Sequence, residues 1–198
     1  MSTTTRMILV LAAITTISGG ILAAWDSFTQ PKIEQHRLAE IKSAVADVLP
    51  EHDHYEEIQG DGTTFYVGKA ASGNTVGIAF RAAGSGFQGE IAMMVGVTPD
   101  FERVTGVAIL AQIETPGLGS KIERDPSNRQ NPDWFTEQLQ GVPTSPDLTA
   151  LKNEQPDQPT EVQSITGATI SSRAVIDILN RSIKQARVIY ETQIQQVA

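Results

Sequence analysis

From Met7 to Trp25 the chain reads MILVLAAITTISGGILAAW, with no charged residue. A helix of that length, rising about 1.5 Å per residue, crosses about 30 Å of hydrocarbon, so the run predicts one transmembrane helix over 7–25. Thr15, Thr16, Ser18, Gly19 and Gly20 thin one face of it, which suits close approach by a neighbouring helix. A cleavable signal peptide, with Arg6 as its basic region and Leu22-Ala23-Ala24 as its cleavage site, is the competing reading. Beyond Pro31, the apolar positions Leu38, Ile41, Val45, Val48 and Leu49 keep helical spacing as far as Pro50. They predict an amphipathic helix within a connecting segment, 26–50.

The pattern then changes period. Residues 64–67, 76–80, 91–97 and 104–110 are short β-type runs separated by Ser72-Gly73-Asn74, Gly84-Ser85-Gly86 and Thr98-Pro99-Asp100. Tight turns between short strands predict an antiparallel meander, because parallel neighbours need crossovers of about a dozen residues or more. A stretch rich in Pro, Asp, Gln and Asn, 125–158, reads as a long loop with a short helix around Trp134, Phe135 and Leu139. Helical spacing returns at Val175, Ile178, Leu179, Ile183, Ala186 and Ile189, with Ser171 and Ser172 as capping candidates. The fold class is therefore α+β, a mostly antiparallel sheet with flanking helices, and 51–198 forms the folded domain.

Composition narrows the chemistry. The 198 residues carry 15 Lys+Arg against 23 Asp+Glu, a formal charge of -8, which argues against nucleic acid as a partner. The absence of Cys removes disulfides, thiol nucleophiles and iron–sulfur ligation, so redox work needs a borrowed cofactor. His52 and His54, in a polar turn without a partner cluster, read as solvated side chains rather than metal ligands.

Two loops could carry chemistry. Glu114-Thr115-Pro116-Gly117-Leu118-Gly119-Ser120-Lys121 follows the last β-type run, and its glycines permit close approach of backbone to a flat or anionic ligand. An ordinary Pro-Gly turn accounts for the same residues. Ser164-Ile165-Thr166-Gly167-Ala168-Thr169-Ile170-Ser171-Ser172 precedes the final helix, where unpaired N–H groups and the positive dipole end favour a phosphate. A turn at Gly167 with a serine cap explains that composition as well.

Thr166-Gly167-Ala168-Thr169 followed by Ile170-Ser171 resembles the flavinylation motif of the FMN-binding domain family. That family includes the G subunit of Rnf ion-translocating electron transport complexes, which the chain resembles most, and the C subunit of sodium-pumping NADH:quinone reductase. Glu114-Thr115-Pro116-Gly117-Leu118-Gly119 is similar to the family's other recurrent segment, and the likeness takes in Gly86-Phe87-Gln88-Gly89-Glu90-Ile91. The resemblance implies FMN joined through its phosphate to Thr169 by an ApbE-type flavin transferase. Thr166, Gly167, Ala168 and Ser171 would then surround the phosphate. Glu114, Thr115, Gly117, Leu118, Gly119 and Lys121 would meet the ring or ribityl chain, with Leu118 on the flavin face and Lys121 offsetting negative charge. The family pattern usually has Asp three residues before the first Thr, where this chain has Gln163.

The implied protein is an electron relay between ferredoxin and NAD chemistry in a complex that moves ions, with Rnf-type membrane and iron–sulfur subunits as partners. Residues 1–6 would be cytoplasmic and the domain on the outer side of the membrane, although the charges flanking the span leave orientation open. A non-redox membrane-tethered module that keeps the fold without the flavin is the alternative. A secreted hydrolase using Glu114 or Asp125 is a third reading, with no paired acid or His–Ser arrangement to support it.

Overall fold

The computed structural model describes residues 2–152 and 154–194, in two compact units, Met1–Glu40 and Ile41–Ala198. The first unit is helical. It belongs to α1 (Thr3–Val48), which continues through Pro31 without a break. A proline removes one N–H donor from the ladder, and in a long helix it bends the chain more readily than it ends it. The apolar stretch, with a mean hydropathy of 2.2 over its best 18 residues, is long enough to span a membrane. Within it Thr15 donates its hydroxyl to the Leu11 carbonyl (2.8 Å), and just beyond it Ser27 donates to that of Ala23 (3.0 Å), so both hydroxyls find their acceptor inside the helix.

The second unit is built on a five-stranded antiparallel sheet in simple order: β1 (His54–Gly60), β2 (Thr63–Lys69), β3 (Thr75–Ser85), β4 (Glu90–Val97) and β5 (Val104–Gln112). The meander read from the sequence is present, with one strand more. β1, reading HYEEIQG, has too few apolar residues to announce itself. Its signal was the two-residue turn Asp61-Gly62, with φ of 25° and 77°, which the right-handed twist of a hairpin favours. The short helix expected within 125–158 is present as α2 (Trp134–Glu137), and the stretch also contains an unexpected strand, β6 (Thr149–Leu151), which pairs in parallel with β7 (Glu161–Gln163). The pair is three residues per strand, too short for a periodic pattern to appear.

Alternation along the strands gives the sheet two apolar faces. Phe80, Ala82, Met93 and Val95 face α3 (Thr169–Ile189), which buries Val175, Ile176, Ile178, Leu179, Ile183 and Ala186 in the same cluster. Ala79 and Met94, on the other face, pack against Ala44, Val45, Val48 and Leu49. Close approach there requires glycine: a Cβ on Gly96 would collide with the Val48 carbonyl, and one on Gly106 would lie 2.8 Å from the Val48 Cα. Thr105 donates its hydroxyl to that carbonyl (2.6 Å), satisfying one acceptor left open at the helix end.

Gly96→Ala is expected to destabilise the folded domain by about 1–3 kcal/mol through overpacking. Thr105→Val is expected to cost about 1 kcal/mol by orphaning the Val48 carbonyl. Thermal unfolding of the full chain in detergent measures both.

Candidate functional site

The two loops singled out in the sequence meet, and a buried carboxylate joins them. Glu114 leaves the end of β5 and turns inward, 4% exposed. One oxygen, Oε1, accepts the backbone N–H groups of Phe87 (2.8 Å) and Gln88 (3.1 Å) in the β3–β4 turn, and Oε2 accepts the Ser171 hydroxyl (2.5 Å) at the start of α3. Small residues make room for it. A Cβ on Gly86 would strike Oε1, and one on Gly119 would lie 2.6 Å from Oε2 and 2.7 Å from Ser171 Oγ. Burial pushes the Glu114 pKa upward, but the bonds from Ser171, Gln88, Phe87 and Gly89 outweigh it, leaving the carboxyl below its ordinary value.

The second loop is a compact turn. Ala168 N–H donates to the Ile165 carbonyl (2.9 Å), Gly167 takes a φ of 84°, and α3 begins at Thr169. Ser171 and Ser172 therefore lie inside the helix rather than at its cap, a correction to the capping expectation. Ser172 Oγ instead accepts Ile165 N–H and donates to the Ala168 carbonyl, both at 3.0 Å, locking the turn to the helix. Among the described residues, the N–H groups of Thr169, Ile170 and Ser171 have no protein acceptor. They form a donor set of the kind that holds a phosphate.

Between the loops lies a cleft of about 400 Å³, bordered by Thr169, Gly167, Ala168 and Ser171 on one side and by Glu114, Thr115, Leu118 and Gly119 on the other. Leu118 overhangs Gly167, where an added Cβ would lie 3.4 Å from Leu118 Cδ2. Phe87, Ile170 and Lys152 also line the cleft. Phe87, Leu118 and Ile170 are three of the five large apolar side chains exposed in the described part of the second unit. An apolar rim above an anion-binding floor fits a nucleotide with a flat ring at one end and a phosphate at the other. A larger groove of about 660 Å³, between β3 and the far half of α3, contains neither loop.

Three of the expected residues stand apart from the cleft lining. Thr166 is exposed on the turn. Gly117, at the tip of its loop, donates its N–H to Ser120 Oγ (2.9 Å). Lys121 points elsewhere, its ammonium 2.9 Å from Ser127 Oγ and 3.3 Å from Asp125 Oδ1. Ser171 lines the cleft, but its hydroxyl is given to Glu114, where the sequence reading assigned it to a phosphate.

Asp125 anchors the segment that follows. Desolvation raises its pKa, but Ser127, through hydroxyl and N–H, Trp134 Nε1 and Lys121 together lower it to about 2. A carboxylate held so firmly ionised is unsuited to act as a general acid near neutral pH. Of the lining residues that the sequence reading gave no role, Phe87 and Ile170 lie within recognised segments, whereas Lys152 lies in the stretch read as a long loop.

Glu114→Ala leaves two amides and a hydroxyl without their acceptor and is expected to lower stability by about 2–4 kcal/mol in urea unfolding. The Asp125 pKa is depressed on folding, so its contribution is complete above about pH 4 and disappears as pH falls through about 2. Asp125→Asn is expected to be less stable than the parent at neutral pH and to show a shallower loss between those pH values.

The FMN-binding domain family model matches residues 86–184, which include both loops and most of α3. The G subunit of the ion-translocating oxidoreductase complex of Methanosarcina acetivorans is 30% identical over 187 residues, covering 90% of this chain and 92% of that protein. The crystal structure of Shewanella oneidensis NqrC superposes with a TM-score of 0.54 at 17% identity, covering 69% of this chain and 66% of that one. The C subunit of the Na(+)-translocating NADH-quinone reductase from Parabacteroides distasonis gives a TM-score of 0.53 at 18% identity, with coverages of 78% and 84%. These two share the α+β fold in which the cleft is set. A cleft with an apolar rim and free helix amides at its floor, in a chain with these matches, belongs to a member of the FMN-binding domain family.

Proposed function

We propose that this protein is a membrane-anchored electron-relay subunit of an Rnf-type ion-translocating oxidoreductase, carrying FMN through a phosphoester on Thr169. The observation that carries the reading is the position of Thr169. It is half-buried, it opens α3, and it lines the cleft where both loops and three unpaired N–H groups converge. In the ester the Thr169 oxygen would bond to the flavin phosphorus as the P–O bond to a leaving group breaks, the hydroxyl proton passing to that group, and an ApbE-type flavin transferase is the enzyme expected to catalyse the exchange. The amides of Thr169, Ile170 and Ser171 would hold the phosphate, and Leu118, Phe87 and Ile170 would shelter the ring. FMN supplies the redox chemistry; the chain supplies position and a fixed electrostatic surrounding.

A tether suits a relay. It keeps the cofactor in place on the outer side of a membrane, where no cytoplasmic FMN pool replaces what dissociates, and fixes its location relative to donor and acceptor. The helix over 7–25 would hold the domain beside the other membrane and iron–sulfur subunits. The chain has no Cys for a cluster, and ferredoxin, NAD and ion chemistry belong to the assembly.

Full-length protein co-produced with an active flavin transferase is expected to give a fluorescent band under ultraviolet light on a denaturing gel. Thr169→Ala is expected to abolish the band, and Thr166→Val to retain it. A Thr169→Ala band as bright as the parent's overturns the assignment of the attachment residue. A dark parent band overturns covalent flavinylation and favours the module that keeps the fold without flavin.

A further inference from the structure

Resting on the flavin reading above, we propose that Lys152 is the residue that draws the nucleotide phosphate to Thr169, the part expected of Lys121 from the sequence. An anionic nucleotide meets an unfavourable field here. The chain carries a formal charge of -8, and the Glu114 carboxylate lies against Ser171 beside the helix amides. The amides supply partial charges only, so a full positive charge at the cleft decides how readily a phosphate enters.

Among the described residues Lys152 is the one cationic side chain lining the cleft. Lys121 is held by Asp125 and Ser127, and Arg124 lies 3.9 Å from Asp133. Lys152 makes no ion pair within 4 Å with a described residue and is exposed to solvent, which leaves its ammonium able to swing toward an incoming anion.

Its location is fixed by the fold. Lys152 immediately follows β6, whose last residue, Leu151, is in register with Gln163 of β7. The Leu151 carbonyl accepts Ser164 N–H at 2.8 Å, so the segment carrying Lys152 is stitched to the one leading into Thr169. Asn180 of α3 clasps the N–H and carbonyl of Leu148, both at 2.9 Å, and so holds the approach to β6 against the same helix. The small parallel pair thus delivers a cation to the N-terminal end of α3 from a part of the chain remote in sequence from both motifs.

FMN and riboflavin differ only in the phosphate, which makes their comparison a direct probe. Full-length protein produced without a flavin transferase, so that Thr169 is unmodified, is titrated with each flavin by fluorescence quenching at low and high salt. The parent is expected to prefer FMN. Lys152→Gln is expected to weaken FMN binding about fivefold at low salt and to leave riboflavin binding unchanged, with the difference shrinking at high salt. Lys121→Gln is expected to keep the preference for FMN. An undiminished FMN preference in Lys152→Gln, or its loss in Lys121→Gln, overturns the role of Lys152 while the flavin site stands. A parent that binds both flavins equally, or neither, overturns the phosphate cradle and the role of Lys152 with it.

Discussion

One buried carboxylate holds the cleft in shape. Glu114 reaches from the end of β5 to the β3–β4 turn and to the first turn of α3, and so fixes the two loops that border the cleft relative to each other. Its charge is tolerated because donors from both sides surround it, and glycines at 86 and 119 leave the space it occupies. Without those bonds the same carboxylate would be an isolated buried charge. The shape of the cleft therefore depends on a contact made wholly within the protein.

The surrounding architecture serves that contact. The antiparallel meander places the β3–β4 turn and the end of β5 at the same end of adjacent strands, since Ile91 pairs with Gln112. α3 lies across the sheet with Ile178 and Leu179 in the core, which fixes where its N-terminal amides point. On the opposite face, Val48 sits directly over Gly96 and Gly106, so the last turns of α1 close the second apolar layer. The Asp125 network, joining Lys121, Ser127 and Trp134, ties the chain beyond the first loop into the same body.

The sequence disclosed the elements with strong periodicity and hid those without it. Alternating apolar runs announced β2 to β5, and the spacing from Val175 to Ile189 announced α3. β1 escaped because Glu56, Glu57 and Gln59 interrupt any apolar pattern, although Asp61-Gly62 marked its turn. β6 and β7 escaped because three residues set no period. At the site, the two glycine-containing loops were legible as segments, but the direction of each side chain was not. Glu114 and Lys121 are charged residues of one loop, yet Glu114 is the strut between three elements and Lys121 turns to Asp125. Lys152 reaches the cleft through a pairing between short strands, which nothing local in the chain encodes.

With Glu114 and Asp125 satisfied internally, the groups left lining the cleft are three amides, Lys152, an apolar rim, the Thr115 side chain and, at the start of α3, the Thr169 hydroxyl. The claim most exposed to contradiction is that this hydroxyl, on Thr169, bears the flavin. Intact mass followed by peptide mapping of full-length protein, made in a host with an active flavin transferase, tests it directly. The account predicts that the peptide containing Thr169 is heavier by one FMN less one water, with fragments that place the added mass on that residue. An unmodified Thr169 peptide would contradict it.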